Sequence, residues 1–238
     1  DLSTTDNRIE DVQRVLNEKY NNQEHISVYV KQLDTDRVAA INDEKSMYAA
    51  SIAKLGVLYY AQERLSQKKL SLSNEYQYTS TVNGFPGAYD PDGSGKISKM
   101  TDDKNYSLEN LLKAVAQNSD NVATNILGYY VANQYDNSFQ KSVDKASATS
   151  WNMDKKELTA RAAGTLMEAV YRQNGDIINY LSSTDYDGER ISKNIDVPVA
   201  HKIGDAYDFK HDVAIVYADS PFILSIFTDK EGYDKITS

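Results

Sequence analysis

Ser51-Ile52-Ala53-Lys54 places a hydroxyl and an amine at i and i+3, a spacing that puts them on one face of a helix. A serine hydroxyl is a weak nucleophile until a neighbouring base takes its proton, and an uncharged lysine can be that base. A helix start adds unpaired backbone N–H groups and the positive end of the dipole, both of which favour developing negative charge. The pattern therefore points to covalent chemistry. Ser66-Gln-Lys-Lys69, Ser138-Phe-Gln-Lys141 and Ser142-Val-Asp-Lys145 share the spacing, but nothing around them suggests more than solvated helix surface or loop. At Ser51, Ala49 and Ala50 come before, and Ile52, Leu55, Leu58 and Leu65 follow as one apolar stripe. The plain alternative for Ser51 is an N-cap.

Two other clusters carry polar chemistry into apolar surroundings. Ser119-Asp120-Asn121 interrupts the helical run from Leu111 to Leu127. Buried polar groups must find partners, so the triplet should line a polar pocket, bind another loop, or cap a second helix. Val199-Ala200-His201-Lys202-Ile203-Gly204 reads as a strand ending in a lysine and a glycine. That pairing offers positive charge where a ligand or another chain segment can come close to the backbone. An edge strand guarded by a charge is the alternative.

The elements that must hold these clusters follow from periodicity. Residues 5–20 read as an amphipathic helix, with Ile9, Val12, Val15 and Leu16 on one face. Residues 26–33 and 37–41 read as strands joined by the turn Asp34-Thr35-Asp36. From Ser51 to about Leu181 the chain is mostly helical, and it returns to strands at the end. This order implies an antiparallel sheet covered by helices beside an all-helical lobe, with a cleft between the lobes. Residues 81–101 hold Gly84, Pro86, Gly87, Pro91, Gly93 and Gly95 and should form an irregular loop, with Phe85 and Tyr89 available for substrate contacts.

Composition narrows the function. The chain has 238 residues, 40% of them hydrophobic, enough for a substantial core in one large unit. A net charge of -9 disfavours nucleic acid, which demands clustered basic surface. No run is long enough to span a membrane. Cysteine is absent, which removes disulfides and thiolate metal sites. Asp90-Pro-Asp-Gly-Ser-Gly95 approaches a calcium loop, but its twelfth position is Thr101 and lacks a bidentate carboxylate. His25, His201 and His211 have no ligand spacing, so no metal and no cofactor are expected. The polar start at Asp1 reads as a mature or trimmed terminus without a signal peptide.

Taken together and in this order, the three clusters resemble the penicillin-recognising serine hydrolases, and class A β-lactamases most closely. Residues 210–216 and 222–228 look like the family's last two strands, and residues 157–170 like the helix after its omega loop. The resemblance implies an α/β fold of the α+β type: a five-stranded antiparallel sheet flanked by helices, plus an all-α lobe. It implies one domain over residues 1–238, with the α/β lobe at 1–48 and 190–238 and the all-α lobe at 49–189. The family would begin a last helix where this sequence stops at Ser238, which predicts a sheet face short of cover.

Carried over by position, Ser51 is the acylated nucleophile, Lys54 its proton partner, and Ser119 a bridge between Lys54 and Lys202. The resemblance gives Asn121 the substrate's acylamino group and Lys202 a substrate carboxylate. Gly204 would border the substrate, and Lys210 would stand about where the family has a carboxylate-binding arginine. Backbone N–H groups of Ser51 and Asp205 would form an oxyanion hole, where losing one donor costs about 3–4 kcal/mol.

Two departures set this chain apart. Asn152 follows Trp151 where the resemblance predicts the omega-loop glutamate, and an amide cannot take a proton from water. Deacylation should be slow unless Asp154 or Glu157 substitutes. Ile203 replaces a threonine or serine, removing a hydrogen bond to a ligand carboxylate worth about 1.5–3 kcal/mol. The expected partner is a β-lactam or a cell-wall peptide, handled by a monomer outside the cytoplasmic membrane. Slow acyl transfer, β-lactam hydrolysis with a substitute base, and a non-turnover sensor are the three readings that remain.

Overall fold

The computed structural model describes residues 7–230. Helix α1 (Arg8–Tyr20) leads into β1 (Ile26–Gln32), β2 (Val38–Ile41) and the short β3 (Met47–Tyr48). A 3-10 turn, Ala50–Ala53, runs directly into α2 (Lys54–Ser66). There follow β4 (Glu75–Gln77), β5 (Asn105–Ser107), α3 (Leu108–Asn118), α4 (Asn121–Tyr130) and α5 (Asn137–Ser147). Next come β6 (Glu157–Leu158), α6 (Ala160–Gln173), α7 (Asp176–Tyr180) and α8 (Arg190–Lys193). The chain closes with β7 (Val199–Ala206), β8 (Phe209–Val216) and β9 (Phe222–Asp229).

The strand signals pair as the pattern requires. The main sheet has five strands in the order β2-β1-β9-β8-β7, all antiparallel. Alternation along β1 sends Tyr29 to the inner core, while Val28 and Val30 face outward. The inner face is covered by α6, whose Ala163, Leu166, Met167 and Val170 share the core with Val213, Ile223 and Phe227. Outside, Ile9 and Leu16 of α1 pack on Ile26, Val28, Val30 and Ala39. A groove of about 380 Å³ lies on this face, lined by Leu16 of α1, by Ile191 and by Ile195. The final helix looked for after this sheet falls outside the described residues.

Boundaries shift where local chemistry decides them. The first helix begins at Arg8, and residues 5–6 of the expected span lie outside the described residues. The helix expected from residue 157 starts at Ala160, because Thr159 caps it through Ala162 N while Glu157 and Leu158 pair with β3. Residues 49–189 also contain the β4–β5 pair, so they are not helical throughout. No helix among the described residues is long and apolar enough to cross a membrane.

Candidate active site

Ser51 sits in the second position of the 3-10 turn that feeds α2. The residue before it, Ala50, has φ of 50°, a left-handed conformation that costs a non-glycine residue about 1–2 kcal/mol. Packing holds it there: Tyr89 Oη donates to Ala50 O (2.9 Å), and Ala49 N donates to Lys156 O (2.7 Å). A half-buried Ser51 is thus turned toward a cavity of about 240 Å³, shared with Ser94, Ser119, Tyr186, Glu189, Ile203 and Asp205.

Lys54 begins α2 with no exposed surface. Its Nζ donates to Ser119 O (2.7 Å) and Asn121 Oδ1 (2.5 Å), and it lies 3.2 Å from Ser119 Oγ. A contact with Ser51 Oγ is not among its hydrogen bonds, so the amine faces the Ser119 cluster in this state. Burial holds Lys54 well below the ordinary lysine value, with the charges of Lys202 and Lys156 reinforcing it against Asp120. An uncharged amine has two protons and one lone pair. Ser119 O and Asn121 Oδ1 take the two protons, which leaves the lone pair for a hydroxyl.

Ser119 joins both amines. It ends α3 in a left-handed conformation (φ 52°), and the following Asp120 caps α4 through Ala123 N. Lys202 Nζ, on β7, donates to Ser119 Oγ (2.8 Å) and to Ile203 O (3.0 Å). Burial lowers Lys202 to about 7, with Arg190 adding to the effect and Asp212 opposing it. The three clusters of the sequence therefore meet at one point.

Gly204 explains how β7 comes so near the turn that bears Ser51. A Cβ there would stand 2.6 Å from Ala49 O and 2.8 Å from Ile52 Cγ1. The close approach is thus made by the protein's own turn, and Gly204 is not among the cavity-lining residues. Ile203 and Asp205 both line the cavity. Lys210 pairs with the Asp205 carboxylate, as does the fully buried Arg190 (3.2 Å).

Asn121 is tied up within the chain. Its Oδ1 receives Lys54 and Ser94 Oγ (3.2 Å), and its Nδ2 donates to Asp90 O (2.9 Å). The loop responsible is clamped along the triplet: Asn121 N donates to Ser94 O, while Lys96 N and Ile97 N both donate to Asp120 Oδ2. At Gly95 (φ 118°) a Cβ would lie 2.4 Å from Asp120 Cγ, so only glycine fits. This is what the turn formers of residues 81–101 accomplish. Phe85 and Tyr89 are corrected from substrate contacts to core: Phe85 packs on Tyr129 and Tyr135, and Tyr89 is buried over Lys54.

Asn152 stands apart from the cavity. Its Oδ1 accepts from Asp154 N (2.9 Å) and Lys155 N (2.8 Å), closing a turn beside the fully buried Trp151. Asn152 and Asp154 line a different surface hollow. The member of this segment nearest the chemistry is Lys156, whose Nζ donates to Gly87 O and Met153 O and lies 4.4 Å from the Tyr89 ring centre. Lys54 Nζ is 4.6 Å from the same ring. Sequence reasoning missed Lys156, Ser94, Tyr186 and Glu189. The loop's glycine density flagged the neighbourhood of Ser94, whereas Lys155-Lys156 looks like an ordinary solvated pair.

His201 lies between two carboxylates and, when protonated, donates to both: Nδ1 to Asp212 (3.0 Å) and Nε2 to Asp187 (2.9 Å). Among the described residues no group of three or more His, Cys, Asp or Glu side chains could hold a metal ion.

With this geometry in place, comparison with known proteins is decisive for the family. A model described as "Beta-lactamase enzyme family" matches residues 7–237. The chain belongs to that family. No curated protein matches the sequence at a significant level. Among solved structures, PBP-A superposes with a TM-score of 0.77 at 14% identity, covering 96% of this chain and 90% of that one. A β-lactamase from Sphaerobacter thermophilus gives 0.76 at 14% identity, covering 96% and 91%. An acyl-enzyme complex of a PBP-A mutant with penicillin G gives 0.77 at 13% identity, covering 96% and 92%. At these identities the structural likeness speaks for the β-lactamase-like fold.

Proposed function

We propose that this protein is an active-site serine acyl-transfer enzyme in which a β-lactam or cell-wall peptide acylates Ser51 and the acyl group leaves slowly. The observation that carries the reading is the Ser119 hydroxyl, within reach of both Lys54 and Lys202 and lining the same cavity as Ser51. In the forward step Ser51 Oγ bonds to the scissile carbonyl carbon while its proton passes to the uncharged Lys54 amine. Catalytic hydrogen bonds commonly tighten only when substrate is bound. The C–N bond breaks as the proton reaches the leaving nitrogen through Ser119. The carbonyl oxygen takes its negative charge against the backbone N–H groups of Ser51 and Asp205.

Release needs a water and a base to deprotonate it. Asn152 offers an amide engaged in its own turn, and Asp154 and Glu157 do not line the Ser51 cavity. Lys156, a cation, is the nearest contribution of that segment to Lys54. These features support acylation without rapid hydrolysis, with the whole chain serving as one catalytic unit. We infer that it works outside the cytoplasmic membrane, a reading that membership of the family supports.

Intact-mass measurement during incubation with penicillin G tests the reading. It predicts a lasting adduct on the Ser51 peptide that is lost in Ser51→Ala. Fast turnover of a chromogenic cephalosporin would replace it with a working hydrolase, and an adduct elsewhere would overturn it.

A further inference from the structure

The oxyanion hole proposed above draws on two backbone N–H groups, and they are held in different ways. Asp205 lies within β7, where pairing with Lys210 of β8 sets its backbone. Ser51 lies instead in the 3-10 turn, directly after a left-handed Ala50 (φ 50°). The first N–H groups of such a turn have no partner within the helix. A contact from outside the turn can therefore decide where the Ser51 N–H points.

Tyr89 makes that contact. Its hydroxyl donates to Ala50 O at 2.9 Å. The Ala50 carbonyl and the Ser51 N–H belong to one planar trans peptide and point to opposite sides of it. Gripping the carbonyl therefore fixes the direction of the N–H. A hydrogen bond accepted by an amide oxygen also polarises that amide and makes it a better donor. Burial pushes the Tyr89 phenol well above its ordinary value, so the hydroxyl keeps its proton at neutral and mildly alkaline pH.

Helix α4 clamps Tyr89 in turn. Tyr89 N donates to Asn125 Oδ1 (2.7 Å), and Asn125 Nδ2 donates to Tyr89 O (2.8 Å) and Asn83 Oδ1 (2.9 Å). Asn125 is fully buried and stands one turn beyond Asn121, which receives Lys54. One face of α4 thus holds both the proposed base and the tyrosine that grips the Ser51 peptide.

We propose that Tyr89 is a positioning residue for the oxyanion hole: its hydroxyl aims and polarises the Ser51 N–H that meets the scissile carbonyl oxygen. The inference rests on Ser51 being the nucleophile. Negative charge gathers on that oxygen only as Ser51 attacks, so the hydroxyl acts on the rate of acylation and leaves substrate binding alone.

Tyr89→Phe keeps the ring beside Lys54 and removes the hydroxyl. Acylation of Ser51 by a saturating, uncharged chromogenic phenyl ester should fall about three- to tenfold, the size of one net neutral hydrogen bond. The half-saturating concentration and the acid limb of the pH profile should stay in place. In isotope-edited infrared spectra, the ester carbonyl stretch of the acyl-enzyme should rise, because a weaker donor polarises it less. Ala50→Gly reaches the left-handed conformation without strain, so Tyr89→Phe should cost less in that background. An unchanged rate and stretch, a loss carried by the half-saturating concentration, a moved acid limb, or a penalty undiminished by Ala50→Gly would overturn the role of Tyr89 while leaving Ser51 as nucleophile. An unaltered protein that takes no acyl group on Ser51 would overturn the nucleophile assignment and the inference with it.

Discussion

Lys54 can act as a base because its surroundings keep it uncharged, and Lys156 is one of those surroundings. The Lys156 charge lies near the same buried tyrosine ring and disfavours protonation of Lys54, an effect that burial amplifies. Removing the Lys156 charge should therefore raise the Lys54 value, and with it the pH above which Lys54 is free to take a proton. In Lys156→Met the acid limb of the acylation rate against pH should move upward, modestly because burial, Lys202 and Asp120 all act on Lys54 more strongly than Lys156 does. Stopped-flow acylation across pH 5 to 9 reads this shift directly. An unmoved limb would remove Lys156 from the electrostatics of the site.

At the level of elements, the cluster exists because β7, the α3–α4 junction and the 3-10 turn converge. Gly204 permits the tightest of those approaches. Gly204→Ala would force Ala49 O and Ile52 away from β7, costing about 1–3 kcal/mol of stability, as overpacking does. Acylation should fall further than stability explains, because the shift moves Ser51 against the Asp205 N–H. Denaturant unfolding paired with acylation rates separates the two effects.

A second element-level device ties the segment bearing Tyr186 and Glu189 to β7. Burial pulls His201 down, but Asp212 and then Asp187 outweigh it and hold the imidazole above its ordinary value. A raised folded value means that the tether contributes fully below the unfolded histidine range, near pH 6.5. The contribution is lost as pH rises through the folded value. Amide exchange in residues 182–189, corrected for intrinsic rates, should thus quicken at alkaline pH, and His201→Gln should abolish the pH dependence. Exchange that is insensitive to His201 would mean that the segment is held by other contacts.

Across the whole molecule, what the sequence discloses and what it conceals divide along physical lines. Periodicity and apolar content expose the sheet and its helices, although residues 26–32 are buried on both faces and α2 is buried nearly all round. The three motifs are legible because each is continuous in the chain. Lys156 and Glu189 are not, because their importance arises from neighbours more than a hundred residues away: Lys54 for one, Ser51 for the other. Asn152 shows the opposite hazard, as its place after Trp151 suggests a role in the cleft while its side chain closes a turn. The loop at residues 90–97 also gains its meaning in three dimensions, by lying along Asp120 and Asn121.

The central claim is that Ser51 becomes acylated quickly and releases its acyl group slowly. Pre-steady-state mixing with an uncharged chromogenic ester measures both steps in one trace. The account predicts a burst of one product per protein followed by a much slower phase, and in Ser51→Ala a loss of the burst by a factor on the order of 10⁴ or more. A fast linear release with no burst, or a burst that survives in Ser51→Ala, would contradict it.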